Sequence, residues 1–151
     1  MELVFNEQNL RKICNINNVN CIVSVVTEDN KKCLEALKTD GSRVALTVPQ
    51  TQDKFPNQPI EELKKSLGHE FAAKFTTMMG AYAINIYNFE CFEYKQVTKK
   101  DYLLYVKFKN GEEQKIMNMT ESAIKSFRPI TDRMARTIYA VQQEKAESLG
   151  V

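Results

Sequence analysis

The sequence predicts an α+β fold, with antiparallel sheets in meanders and long helices packed on one face. Short β-branched or aromatic runs alternate with turn dipeptides such as Asn110-Gly111, a pattern typical of hairpins. Two longer stretches, beginning at Pro59 and near residue 120, carry apolar residues at the helical period. The resulting order is helix, three strands, helix, three strands and helix, which suggests a repeated unit of three strands and a helix.

The first part of the chain predicts a short helix followed by strands. Asn6 is a suitable N-cap for the helix, because its side chain can accept a hydrogen bond from the first turn. Residues 20–28 and 42–49 are rich in β-branched side chains and predict strands. Residues 29–40 fit either a helix or a strand, and the turn signals on both sides favour a strand. A polar loop over residues 49–58 follows.

The most regular helical pattern begins at Pro59. Apolar residues recur at the helical period from Ile60 to Met78, and Gly80 is well placed to end the helix. His69, the only histidine of the chain, lies on the polar side of this pattern. We therefore expect a helix over residues 59–78 that carries a solvent-exposed imidazole.

A second group of strands is predicted between residues 81 and 118. Residues 81–89 alternate in polarity, and residues 90–97 continue or re-enter the sheet. Residues 102–109 and 112–118 then form a hairpin. Its Asn110-Gly111 turn is predicted to be a two-residue type I′ turn, because both positions tolerate positive φ.

The two-residue turn sets the pairing of this hairpin, with Leu104 opposite Met117 and Val106 opposite Lys115. The predicted core face of its first strand consists of Tyr102, Leu104, Val106 and Phe108. On the other face, Lys107 and Lys109 flank the turn and are expected to be exposed. The apolar side chains farther from the turn are expected to be at least half buried, and they are Leu103, Tyr105 and Ile116.

The final helix is predicted to begin at Thr120 as its N-cap. Pro129 is expected to break or kink this helix, which can restart at Thr131 or Asp132. Four cations surround this point, and Arg133 and Arg136 share a face because they are three residues apart. This face either grips phosphates or acidic side chains of a partner, or is the solvated side of the helix.

Two basic clusters are therefore the candidate binding surfaces. The second sheet combines aromatic rings with lysines, as single-stranded nucleic acids require, although lysines also protect hairpin edges from pairing. The candidate residues for binding a partner or a nucleic acid are Lys95, Lys99, Lys100, Tyr105, Lys107, Lys109, Lys125, Arg128, Arg133 and Arg136.

Composition limits the remaining classes of function. The 151 residues are most simply a single domain, 1–151, with a net charge of +2 that is too small to attract a polyanion by itself. The N-terminus lacks the pattern of a secretory signal, and no apolar run is long enough to cross a bilayer. We expect no membrane partner and a cytoplasmic location, which is the host cytoplasm if the protein is of phage or viral origin.

No catalytic or cofactor motif is found. The four cysteines form no CxxC pair and the single histidine completes no zinc pattern, so no metal is predicted and the thiols are expected to be reduced. The sequence has no glycine-rich phosphate loop, no GxSxG and no HExxH. We therefore predict a protein that is not an enzyme and that uses no cofactor.

These observations favour a small cytosolic adaptor or inhibitor that binds another protein, for example a phage or viral protein acting on a host complex. The alternative is a single-stranded nucleic-acid-binding protein that uses the aromatic and lysine-rich second sheet. The layout resembles that of Pur-type single-strand binders, whose repeats are a meander followed by a helix, but no motif assigns the chain to a family. A homodimer is also predicted, because the aromatic surplus exceeds what one helix layer covers.

Overall fold

The computed structural model describes residues 3–13 and 16–150, and it confirms the predicted α+β class. The chain divides into two compact units, Met1–Asn85 and Ile86–Val151, each with its own antiparallel sheet. Whether the two units form one domain, as the sequence predicts, stays a prediction.

The first unit is built on a six-stranded antiparallel sheet with the strand order β3-β2-β1-β6-β5, in which β4 also pairs with β2. A 3₁₀ turn over Ile16–Asn18 precedes the first strand. The elements are α1 (Glu7–Lys12), β1 (Val19–Val26), β2 (Lys31–Lys38), β3 (Arg43–Ala45), β4 (Gln50–Thr51), α2 (Pro59–Leu67), α3 (His69–Lys74), β5 (Phe75–Met78) and β6 (Tyr82–Asn85).

Local signals in this unit act as predicted. Asn6 caps α1, since its side-chain oxygen accepts a hydrogen bond of 3.1 Å from the amide of Asn9. The ambiguous residues 29–40 form strand β2 and its two turns, as the turn signals favoured. Asn30 and Gly41 occupy these turns with φ of 63° and 87°, a conformation that asparagine and glycine tolerate best.

The single helix predicted over residues 59–78 is wrong. Gly68 interrupts it with φ of 71° and ψ of −153°, and residues 75–78 form strand β5 instead of the last helical turn. Phe75, Thr76 and Thr77 suit an extended chain, and β6 supplies the hydrogen-bonding partner that the sequence pattern could not show. Gly80 therefore lies in the β5–β6 hairpin turn and not at a helix end.

Polar groups inside the first unit have defined partners. Thr47 is 1% exposed, and its hydroxyl oxygen accepts a hydrogen bond of 2.9 Å from the amide of Leu34, which is fully buried in β2. Asn85 is 2% exposed and donates to the carbonyl of Val19 at 2.8 Å. Such bonds offset the cost of removing these groups from water.

Replacing Thr47 with valine is expected to lower the free energy of unfolding by about 1–3 kcal/mol, because the buried Leu34 amide loses its acceptor while the side-chain shape is kept. Chemical denaturation measures this loss. The exposed Thr51 of β4 offers a matched control, and Thr51→Val is expected to change stability by less than about 0.5 kcal/mol. Equal effects of the two changes would contradict the assigned role of Thr47.

The second unit consists of a three-stranded antiparallel meander and one long helix. Its elements are β7 (Phe89–Gln96), β8 (Asp101–Phe108), β9 (Glu113–Thr120) and α4 (Glu121–Ser148), with the strand order β7-β8-β9. Thr120 caps α4 as predicted, accepting a hydrogen bond of 3.2 Å from the amide of Ala123. The repeated unit suggested by the sequence is not confirmed, because the first unit has six strands and only short helices.

The predicted geometry of the β8–β9 hairpin is wrong near its turn. Phe108 and Glu112 close a three-residue loop, in which Gly111 has φ of 92° and donates to the Phe108 carbonyl. Leu104 faces Met117 as predicted, but a bulge follows, and Val106 faces Gln114 instead of Lys115. The loop has one residue more than predicted, which shifts the pairs next to it by one residue. The extra residue of the bulge then restores the predicted pairing from Leu104 onward.

Pro129 does not break the final helix, so the predicted break with a restart at Thr131 or Asp132 is wrong, while the alternative of a kink stays a prediction. Helix α4 runs without interruption from Glu121 to Ser148. The missing amide of Pro129 leaves the carbonyl four residues earlier, on Lys125, without a helical partner. Both residues are exposed, so water can satisfy that carbonyl and the helix continues.

Candidate functional site

The first basic cluster is neutralised by carboxylates on the face of the second sheet that points away from α4. Lys95 Nζ lies 2.7 Å from Glu113 Oε1 and 4.3 Å above the centre of the Tyr105 ring. The hydrogen bond to Glu113 is the main cause that raises the pKa of Lys95. Lys107 Nζ forms an ion pair with Glu93 Oε2 at 3.4 Å, without hydrogen-bond geometry.

These pairs decide the exposure of the hairpin side chains. Lys107 keeps only 37% of its side chain exposed, so the prediction of a freely exposed lysine is wrong there, whereas Lys109 is exposed as predicted. The expected burial of the apolar side chains is confirmed, with Ile116 6% exposed and Leu103 and Tyr105 partly buried. This face therefore carries paired positive and negative side chains and is not a continuous cationic surface.

The remaining predicted lysines are dispersed. Lys99 and Lys100 lie in the exposed turn between β7 and β8, and Lys125 lies on the exposed side of α4. Lys109 lies in the β8–β9 loop and lines a small hollow with Lys145, whose Nζ is 4.0 Å above the Tyr87 ring. No single surface in the part of the chain that the structure describes collects all of these lysines.

The second basic cluster is organised by contacts between α4 and β7. The guanidinium of Arg128 lies 5.0 Å above the Tyr94 ring. The Tyr94 hydroxyl is 2.8 Å from the Thr131 hydroxyl, which itself donates to the Arg128 carbonyl at 3.1 Å, so Tyr94 acts as the donor to Thr131. Burial raises the pKa of Tyr94 and keeps the phenol protonated. Arg128 is thus held at a defined position.

A groove of about 530 Å³ opens between these two elements. One side is residues 91–94 of β7, and the other is one face of α4. The α4 residues of this edge groove are Arg128, Thr131, Asp132, Ala135, Arg136 and Tyr139. Arg133, which was predicted to act with Arg136, does not line the edge groove. Arg136 lines it together with Arg128, eight positions earlier in the helix.

The edge groove runs along the free edge of β7. No strand among residues 3–13 and 16–150 pairs with this edge. The Val97 amide bonds to the Asp101 carbonyl at 2.8 Å, which marks a hydrogen-bonded pair, and such pairs alternate along an antiparallel ladder. The amides and carbonyls of Phe92, Tyr94 and Gln96 must therefore point outward.

Side chains of α4 close the beginning of this edge. The Tyr139 hydroxyl donates to the carbonyl of Glu90, and Gln142 Nε2 donates to the carbonyls of Ile86 and Phe89 at 2.7 and 2.9 Å. These bonds anchor the helix beside the strand and leave the part from Phe92 onward open.

Of the residues that line this groove, only Arg128 and Arg136 were predicted from the sequence as binding residues. The signal that could have found part of it is the regular spacing of Arg128, Asp132 and Arg136, which places all three on one side of a helix that is not broken at Pro129. The free strand edge beside them depends on strand order, and local patterns do not show strand order.

Groups with the chemistry of an active site are dispersed in the described residues. No three His, Cys, Asp or Glu side chains within residues 3–13 and 16–150 lie close enough to hold a metal ion. His69 is exposed, as predicted. Burial raises the pKa of Cys21 to about 12, and burial is also the main cause that raises the pKa of Cys91, which lines the edge groove. Both thiols are protonated at neutral pH and are weak nucleophiles.

Comparisons of the chain with protein families, with curated protein sequences and with solved structures found no match. Across residues 3–13 and 16–150, no helix has the length and apolar character needed to cross a membrane.

Proposed function

We propose that this chain is a non-enzymatic binding protein, an adaptor or inhibitor, that takes an extended segment of another protein as an added strand on β7. The observation that carries the proposal is the outer edge of β7, which pairs with no strand among the described residues and lies beside charged side chains of α4 along a groove of about 530 Å³. Strand addition of this kind obtains affinity from main-chain hydrogen bonds and specificity from alternate side chains.

The outward groups of β7 define how much of a segment is held. Phe92, Tyr94 and Gln96 each offer one amide and one carbonyl, so a segment of about five to seven residues would satisfy the open part of the edge. Every second side chain of that segment would point toward α4. Arg128, Asp132 and Arg136 are the charged groups it would meet there.

Peptides selected from a random nine-residue display library on the immobilised full chain test this proposal. The amides of Phe92, Tyr94 and Gln96 are expected to exchange with solvent more slowly when a selected peptide is bound, because each gains a hydrogen-bonded partner. Hydrogen exchange followed by NMR measures these three amides individually. Protection confined to other parts of the chain, or a library without any selected peptide, would refute strand addition on β7.

Two variants of α4 supply the matched control. Ala135 lines the edge groove and Ala140 is exposed elsewhere on the helix, so Ala135→Gln narrows the groove while Ala140→Gln makes the same change outside it. We expect weaker binding of the selected peptide only for Ala135→Gln. Both changes keep a residue that favours helices, so the fold is preserved.

Binding of a single-stranded nucleic acid is the second candidate. It is favoured by the hollow that Tyr87, Lys109 and Lys145 line, where a ring and two cations lie together. It ranks second because Lys95 and Lys107 are paired with glutamates. Affinity for oligothymidylate that falls steeply with rising salt would support this candidate.

A further inference from the structure

We infer that the segment bound by β7 carries two carboxylates four residues apart, with a residue that is not acidic midway between them, and that Arg128 and Arg136 receive the two acids. This inference rests on the proposed function, because it names the partner chemistry of the same groove. No carboxylate among the described residues lies within 4.0 Å of either guanidinium in an ion pair. Guanidinium groups bind carboxylates through paired hydrogen bonds.

The spacing of the two arginines selects the spacing of the acids. Arg136 lies eight positions after Arg128 in the helix, which corresponds to about 12 Å at roughly 1.5 Å per residue. Side chains on one face of a strand recur every second residue at about 3.4 Å per residue, so residues four apart are separated by about 13.6 Å. Spacings of two or six residues would give about 7 or 20 Å, which differ from the helical spacing by about 5 and 8 Å.

The two arginines differ in how they are held. Arg128 is stacked on Tyr94, and the ring of Tyr94 is itself fixed by its bond to Thr131, so this guanidinium is already placed for a carboxylate. Arg136 is exposed on the next turns of the helix and can adjust to the second acid. A preplaced and an adjustable cation together tolerate the difference of about 1.6 Å between the two repeat lengths.

Asp132 determines what lies between the acids. It lines the groove halfway between the two arginines, so an acidic residue at the middle position of the segment would face a like charge. The other carboxylate of the groove, Glu93, is paired with Lys107 on the opposite face of the sheet. Neighbouring Ala135 leaves space for a small or medium side chain at this middle position. The same aspartate opposes a continuous polyanion such as a nucleic acid.

The random nine-residue library tests the inference when it is selected on three full chains, the wild type, Arg136→Gln and Arg133→Gln. The wild-type chain is expected to enrich peptides with two acids four residues apart over peptides with acids three or two apart. Arg136→Gln is expected to lose this enrichment. Arg133→Gln is the matched control, because it removes an exposed arginine of the same helix that does not line the groove, and it is expected to keep the enrichment.

A peptide enriched on the wild type then gives the size of the effect. Fluorescence anisotropy is expected to show about tenfold weaker binding when either acid is replaced with glutamine, as for loss of one charge-assisted hydrogen-bonded pair. On the Arg136→Gln chain, replacing the acid that pairs with Arg136 is expected to weaken binding no further, because its partner is already absent. A peptide whose affinity falls equally with Arg133→Gln and Arg136→Gln would overturn the inference, because its acids would respond only to overall charge.

The outcomes also separate this inference from the proposed function. Enriched peptides without the acid spacing that still protect Phe92, Tyr94 and Gln96 overturn the inference and leave strand addition standing. Failure to select any peptide refutes both. Protection of the same three amides without peptide, together with a sedimenting mass of twice 17.4 kDa, would assign the edge to a second copy of the chain. Protection by oligothymidylate would assign it to nucleic acid.

Discussion

Replacing Phe108 with alanine is expected to lower the free energy of unfolding by about 3–5 kcal/mol, the largest effect of any single change considered for this chain. Phe108 is fully buried at the end of β8, opposite the equally buried Phe89, whose ring contacts those of Phe92 and Tyr139. Truncation would leave a cavity among these rings. Hydrogen exchange of the β8 amides, measured with increasing denaturant, reports this loss for the second unit.

Tyr105 is the control on the same strand. It is partly buried on the opposite face, where Lys95 covers its ring, so Tyr105→Ala is expected to cost only about 1–2 kcal/mol. A cost as large as that of Phe108→Ala would show that the face carrying Lys95 is as tightly packed as the face that carries Phe108.

Replacing Gly80 with alanine is expected to cost about 3 kcal/mol, the second largest effect. Its φ of 64° disfavours any side chain, and an added Cβ would lie 2.7 Å from Gln58 Cγ and 2.8 Å from Gln58 Cβ. Gln58 precedes α2, and the Ile60 amide bonds to the Gly80 carbonyl at 2.9 Å, so the helix start and the hairpin turn cannot separate easily. The midpoint of chemical denaturation measures the change.

Gly111 separates the two causes of this cost. Its φ of 92° is also in the left-handed region, but an added Cβ would meet no atom within 4 Å. Gly111→Ala is therefore expected to cost only the conformational part, about 1–2 kcal/mol. Equal costs at the two glycines would mean that the contact with Gln58 relaxes without loss of stability.

Much of the local structure could be predicted from the sequence, because its causes are local. The caps at Asn6 and Thr120 depend on a side chain and an amide three residues away. Strand β2 was favoured over a helix by the turn residues at its ends, and Asn30 and Gly41 adopt the positive φ that such turns need. The buried face of β8 followed from the alternation of side chains along a strand.

The candidate site could be predicted only in part. The sequence indicated Arg128 and Arg136 as binding residues, and both line the edge groove. It also indicated Lys95 and Lys107, whose glutamate partners lie on other strands of the same sheet. A charge count along the chain does not show such pairs, because the partner of each lysine is set by strand register.

By itself, the sequence determined where turns, caps and apolar faces occur, since these depend on residues close together along the chain. The tertiary structure decided which strands are neighbours. Residues 75–78 have a helical pattern but form a strand. Their backbone groups bond to β6, and these hydrogen bonds replace those of a last helical turn. The tertiary structure also left β7 at the edge of its sheet beside α4, and an unpaired edge exists only once the order of the strands is set.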